Sequence, residues 1–250
     1  MKLWSNYVLA ATIDEAVQAL ARAGGSARPV AGGTDLLLEL QQGRHEPVHT
    51  LVDVSAIPDL QRLEERGGQL FIGAGVPVAR IVEHPLVRRH APAVVEACGL
   101  IGGPQVRNTA TLGGNVAHAL PAADGMISLA AMDAVAEAAS VNGTRLIPLL
   151  ELFRGLGKSV LTENNEILTG FYLPLRQTGQ ASAFSRVMRP QGVALPIPTW
   201  RSGCSAAASA SSARASRSAR PAPRRNAPAR WRISWPGRPI RRILRRRRSN

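Results

Sequence analysis

Apolar residues recur at Ile13, Ala16, Val17, Leu20 and Ala23, the spacing that turns one face of a helix toward a core. Thr12 precedes the stripe and Glu15 stands three positions later, a capping box. Gly24-Gly25 closes the helix. Arg28 to Ala31 reads as a short buried strand, Gly32-Gly33 as a turn, and Leu36 to Gln42 as a second helix, capped by Thr34 or Asp35 and stopped by Gly43. Leu51 to Val54 is a strand. Leu63 and Leu70 to Ala74 are strands flanking the Arg66-Gly67-Gly68 turn. Pro77 opens a helix to about Glu83, which His84-Pro85 breaks, and Pro92 opens another that runs to Leu100 and ends at Gly102-Gly103. Ile127 to Ala131 is a short apolar helix. Ala134 to Val141 and Arg145 to Leu149 form a hairpin around Asn142-Gly143, the strongest two-residue hairpin signal. A helical turn at Leu149 to Phe153 and a strand from Glu166 to Pro174 follow. The irregular mixture of helices, strands and hairpins predicts an α+β fold with two subdomains, 1–55 and 56–176.

Two stretches stand out against this pattern: Pro29-Val30-Ala31-Gly32-Gly33-Thr34-Asp35-Leu36 and Arg107-Asn108-Thr109-Ala110-Thr111-Leu112-Gly113-Gly114-Asn115. Each holds a Gly-Gly pair among small hydroxyl or amide side chains. Glycine accepts positive φ and brings no Cβ between backbone and ligand, and successive bare N–H groups make a concave anion cradle. Two such stretches, each after an apolar run, predict a diphosphate gripped from two sides. The first lies between a strand and a helix start, a favourable place for phosphate. Its glycine spacing is not the G-x-G-x-x-G of a dinucleotide-binding Rossmann unit.

Charge changes the picture only at one end. The net charge of the 250 residues is +14, yet residues 1–198 hold 16 Lys and Arg against 17 Asp and Glu, a net charge of −1. Residues 199–250 hold 15 Arg and no acid. Any basic interaction belongs to that tail alone. Met1-Lys2-Leu3-Trp4-Ser5-Asn6 leads into no apolar signal region, and no run reaches the ~18 apolar residues of a membrane span. Two cysteines, Cys98 and Cys204, give neither a disulfide framework nor a cluster-binding set, so a cytoplasmic protein is expected. Cys98 reads as a buried small hydrophobe and His118 as a hydrogen-bonded structural histidine. No His stands with a Ser or Cys in a nucleophilic set.

The two glycine stretches, the second extended through Val116-Ala117-His118, resemble the FAD loops of molybdenum hydroxylase flavoprotein subunits: carbon monoxide dehydrogenase medium subunits and xanthine dehydrogenase FAD subunits. Pro121-Ala122-Ala123-Asp124 and Glu166-Ile167-Leu168 fit later segments of the same family, and the resemblance runs from about Tyr7 to Ile197. It implies the two-subdomain FAD-binding fold of the p-cresol methylhydroxylase and vanillyl-alcohol oxidase type. It implies FAD contacts from Arg28, Pro29, Val30, Ala31, Gly32, Gly33, Thr34 and Asp35 on one side of the diphosphate, and from Thr111, Leu112, Gly113, Gly114 and Asn115 on the other. Asp124, Ile101 and Leu168 are further contacts by the same resemblance, and Arg186 substitutes for a lysine that the family often carries.

The implied function is electron transfer within a complex. A molybdopterin-binding large subunit oxidises the substrate, and an iron–sulfur small subunit passes electrons to FAD here. NAD, a quinone or another acceptor takes them onward. With no His or Cys placed for attachment, FAD is expected to be non-covalent, and this subunit is expected to hold no metal. A free-standing flavin oxidoreductase of the same fold is the alternative within catalysis. A basic nucleic-acid-binding protein, resting on the tail, is the alternative outside it.

Residues 177–198 read as the start of the family's C-terminal domain, and 199–250 do not continue it. The tail is mainly Ala, Ser, Arg and Pro. Its large apolar side chains are Trp200, Trp231, Ile233, Trp235, Ile240, Ile243 and Leu244, too few to offset ~1–2 kcal/mol of chain entropy per residue. Disorder is expected there, and the composition is that of an out-of-frame translation of GC-rich DNA. Codons for Pro198 to Cys204 can be read in a neighbouring frame as the apolar run Asn-Met-Ala-Val-Trp-Leu.

Overall fold

The computed structural model describes residues 2–23, 26–161, 166–186 and, for the backbone alone, 199–205. A three-stranded parallel sheet takes β1 (Trp4–Leu9), β2 (Ala27–Val30) and β3 (Val48–Asp53) in the order β1-β3-β2. Parallel neighbours need crossovers, which α1 (Ile13–Arg22) and α2 (Leu36–Gln41) provide on opposite faces. The amide of Glu15 donates to Thr12 Oγ1 at 3.1 Å, as the capping pattern predicts, and the Glu15 carboxylate returns to the amide of Ala11 at 2.7 Å. Ala16, Val17 and Leu20 of α1 pack with Val52, Ile57 and Leu60, and Leu40 of α2 packs with Val30, Val48 and Leu51. Gly43, at φ 68°, stops α2. The expected stop at Gly24-Gly25 lies outside the described residues.

The larger sheet is antiparallel. β4 (Leu63–Arg66) and β5 (Gln69–Gly73) join across Gly67 and Gly68, both at positive φ, and β6 (Val135–Ser140) and β7 (Gly143–Pro148) join across Asn142-Gly143. A small hairpin of β8 (Phe153–Gly155) and β9 (Lys158–Ser159) precedes β10 (Ile167–Pro174), which sits centrally in the order β4-β5-β10-β6-β7. Six short helices between β5 and β6 cover one face: α3 (Val78–Glu83), α4 (Pro85–His90), α5 (Pro92–Gly99), α6 (Pro104–Thr109), α7 (Leu112–Ala117) and α8 (Asp124–Ala131). Leu70, Ile72, Val94, Leu112, Leu129 and Phe171 lie at the centre of this core. Ala139 and Ile167 cross into the α1 core and join the two sheets.

Several boundaries differ from the sequence reading. Pro77 is the N-cap of α3 and Val78 its first residue. Pro85 does not merely break α3; it opens α4, where its missing N–H costs nothing. α8 begins three residues before Ile127, because Asp124 suits a first turn. The region read as a second glycine loop is the end of α6, two extended residues, Ala110 and Thr111, and α7.

After β10, β11 (Gln180–Arg186) pairs antiparallel with β12 (Thr199–Ser205), with Arg186 opposite Thr199. The first seven residues of the tail are therefore strand. Ladder hydrogen bonds come from the backbone, so they do not require the apolar side chains that the tail lacks. Residues 206–250, which hold the arginine runs, lie outside the described residues.

Candidate functional site

The turn from β2 into α2 forms one wall. Among the described residues, no acceptor takes the N–H groups of Gly32, Gly33, Thr34 or Asp35. Gly33 has φ 65°, which the turn requires and which costs a Cβ-bearing residue strain. Asp35 is the N-cap of α2 but makes no side-chain cap hydrogen bond. A Cβ on Gly32 would fall 2.1 Å from the carbonyl oxygen of Thr109 and 2.9 Å from Cα of Ala110. Glycine here lets two backbones meet, and the two glycine-bearing segments are direct neighbours.

The second segment is built differently. The Leu112 amide donates to Val76 O at 3.4 Å, Gly113 to Ala74 O at 2.9 Å, Gly114 to Thr111 Oγ1 at 3.1 Å, and Asn115 to Thr111 O at 3.0 Å. Thr111 is a helix cap, and the expected row of bare amides is spent within the protein. Gly113 is glycine for packing, since a Cβ would stand 2.6 Å from Ala74 O. Gly114 is exposed, with only Thr111 Oγ1 at 3.2 Å from a built Cβ.

Asn115 carries the site onward, its Oδ1 accepting the amide of Met126 at 3.2 Å in the first turn of α8. At the head of that helix the buried Asp124 carboxylate pairs with the buried guanidinium of Arg186 on β11. Burial pushes the Asp124 carboxyl up to about 6, against the opposing pull of Arg186. Among the described residues neither Asp124 Oδ1 nor Arg186 Nε has a hydrogen-bond partner. Buried polar atoms without partners are costly, so this pair fits a polar ligand edge. Cys98 lies in the core near Asp124, and burial pushes its thiol up to about 12, leaving it inert.

Other expected residues take supporting places. Ile101 is half-buried against the helical core, and Leu168 is buried within it, in the same cluster as Leu112 and Val116 of α7. Arg28 Nη1 donates to Ala27 O at 3.1 Å, and Pro29 and Val30 lie on β2 beneath the turn that Ala31 begins. Sequence reasoning missed two contributors, Arg107 and Glu39, while His118 is the hydrogen-bonded structural histidine it was read as. Arg107 Nη1 donates to the carbonyls of Ile101 at 3.2 Å and Gly102 at 2.8 Å, fixing that bend. Glu39 meets His118, whose Nε2 is 3.0 Å from Glu39 Oε1 and whose Nδ1 is 3.8 Å from Asp35 Oδ2. A Glu one turn into a helix carries no sequence signal for a partner 79 residues away. Among the described residues no group of three His, Cys, Asp or Glu side chains could hold a metal ion, and no helix is long and apolar enough to cross a membrane.

Residues 3–176 match the family described as FAD binding domain in molybdopterin dehydrogenase. The chain is 34% identical over 172 residues to the xanthine dehydrogenase FAD-binding subunit of Escherichia coli O157:H7, covering 68% of this chain and 58% of that one. It is 33% identical over 181 residues to the carbon monoxide dehydrogenase medium chain of Hydrogenophaga pseudoflava, covering 72% and 62%. A solved structure of carbon monoxide dehydrogenase from the same organism, lacking the Mo-pyranopterin moiety of the molybdenum cofactor, superposes with a TM-score of 0.76 at 28% identity, covering 80% of this chain and 69% of that one. The chain thus spans 58% and 62% of the length of the two sequence relatives. The cofactor is FAD. The unclaimed amides of Gly32 to Asp35 suit its diphosphate, and the unpartnered atoms of Asp124 and Arg186 suit a polar edge.

Proposed function

The chain belongs to the family of FAD-binding domains of molybdopterin dehydrogenases, and from that premise we propose that it is the electron-transfer flavoprotein subunit of a molybdenum-dependent hydroxylase or dehydrogenase. Its partners are a molybdopterin-binding large subunit and an iron–sulfur small subunit, and its fold is of the two-subdomain p-cresol methylhydroxylase type. The flavin, held non-covalently, supplies the redox chemistry, exchanging electrons between iron–sulfur clusters and an acceptor such as NAD or a quinone. The chain supplies binding, orientation and electrostatics. The N–H groups of Gly32, Gly33, Thr34 and Asp35 would donate to the diphosphate. The exposed Gly114 leaves room on the facing side. Asp124 and Arg186 present an acceptor beside a donor, which orients a ring edge carrying both kinds of group.

The observation that carries this reading is the run of unclaimed amides at Gly32 to Asp35, set against the backbone of Thr109 and Ala110. FAD titration of the full chain tests it. The expected product is yellow and releases all its flavin on acid denaturation. A folded chain that stays colourless at saturating FAD overturns the reading. Co-expression with both partner subunits tests the electron-transfer role: substrate bleaches the flavin only in the assembled complex. We read residues 199–250 as an out-of-frame replacement of a C-terminal domain. Genomic DNA without an apolar continuation in either other frame would refute that.

A further inference from the structure

We propose that Glu96 is a positioning residue for the cofactor, holding β11 on α5 in the register that brings Arg186 to Asp124. The inference rests on the reading of Asp124 and Arg186 as partners of a polar flavin edge, and it deepens that reading.

β11 docks through one side. Ala181, Ala183 and Ser185 are exposed, while the alternate positions Ser182, Phe184 and Arg186 are covered more fully and meet the helices. Ser182 Oγ accepts the amide of Ala93 at 3.3 Å. α5 opens at Pro92, and its N-cap, Ala91, makes no side-chain cap hydrogen bond. An amide that a helix start leaves without a partner is thus capped from a strand 89 residues away. The Phe184 side chain is buried with Ala93, Ala97 and Ile127. The Phe184 amide donates to Glu96 Oε2 at 2.5 Å. Ala93, Glu96 and Ala97 are three and four residues apart, so they share the face of α5 on which β11 rests. Arg186 then reaches across to Asp124 in the first turn of α8.

The Glu96 bond fixes the register of this docking. A ring among small side chains tolerates sliding, but a short hydrogen bond to one amide does not. A slip of one residue turns Arg186 to the outer side, and a slip of two carries it ~7 Å along the strand. Either leaves the buried Asp124 carboxylate without its guanidinium. Glu96 is exposed and acts on the site only through β11.

The test is a double-mutant cycle on Glu96 and Arg186, read by FAD titration of the full chain followed by flavin fluorescence. Glu96→Ala is expected to bind FAD about tenfold more weakly. Glu96→Gln, whose amide oxygen still accepts the Phe184 amide, stays within about twofold of wild type. Arg186→Gln loses about 30-fold. In the Arg186→Gln background, Glu96→Ala costs no more than about twofold, because its effect passes through the arginine. By reciprocity, saturating FAD slows hydrogen exchange of the Phe184 amide about tenfold in the wild-type chain, a readout that needs no variant to fold. Losses that multiply in the double variant overturn the proposal, as does an unchanged Phe184 amide or a Glu96→Gln variant as weak as Glu96→Ala. If Arg186→Gln binds FAD as well as wild type, the Asp124–Arg186 edge falls and Glu96 with it, while the Gly32 turn stands. A folded wild-type chain that binds no FAD overturns the cofactor reading itself.

Discussion

The two Gly-Gly pairs look alike in sequence and do opposite things. At Gly32-Gly33 the amides have no acceptor among the described residues, and the missing Cβ lets another backbone in. At Gly113-Gly114 the amides are taken by Ala74 and Thr111, and the missing Cβ of Gly113 lets a helix seat on β5's continuation. One pair leaves its amides unengaged among the described residues; the other uses them to seat a helix beside the first. A glycine pair therefore does not identify a cradle. Whether its N–H groups are already engaged does.

Substitution separates the two roles. Gly32→Ala has the largest expected effect, since its Cβ meets Thr109 O at 2.1 Å and both contacts are backbone. Prising the segments apart should cost at least about 100-fold in FAD affinity and about 3 kcal/mol of stability, read by flavin titration and urea unfolding. Gly113→Ala, 2.6 Å from Ala74 O, should cost about 1–3 kcal/mol, with FAD affinity falling only as far as the fold loosens. Equal binding losses from the two substitutions would erase the distinction.

The Asp124 end gives a smaller, pH-dependent effect. Its carboxyl titrates near 6 in the fold against 3.8 for the free group, so the folded state keeps a proton that the unfolded chain has released. Its contribution to stability therefore falls as pH rises from about 4 to about 6 and levels off above that. Asp124→Asn should flatten this part of a stability–pH curve measured without FAD. Gly114→Ala should have the least effect. It adds ~0.5–1 kcal/mol to the apo-protein by removing an exposed helical glycine, and, on the proposed reading of the site, it weakens FAD binding by narrowing the facing side. A thermal melt with and without FAD shows both signs.

Strongly patterned elements were legible in the chain. α1, the β4–β5 and β6–β7 hairpins and β10 follow their periodicity and turn residues to within a residue or two. β1 was not, because most of its positions are exposed and its residues do not alternate. α6 and α7 were hidden because Pro, Gly and six-residue length argue against helices. What fixes α7 is the full burial of Leu112 and Val116, a tertiary fact. The site shows the same division. The resemblance implies Asp124 and Arg186 as separate contacts, but nothing in the chain pairs residues 62 apart.

That pair has a consequence for how the molecule can be cut. The family match ends at residue 176, while Arg186 lies on β11, whose partner strand is drawn from 199–205. A minimal domain trimmed to the match would keep an acid sealed in its interior and discard the guanidinium that neutralises it. If that pair lines the proposed FAD site, the site does not travel with the matched segment alone, because Arg186 lies 186 − 176 = 10 residues past its end.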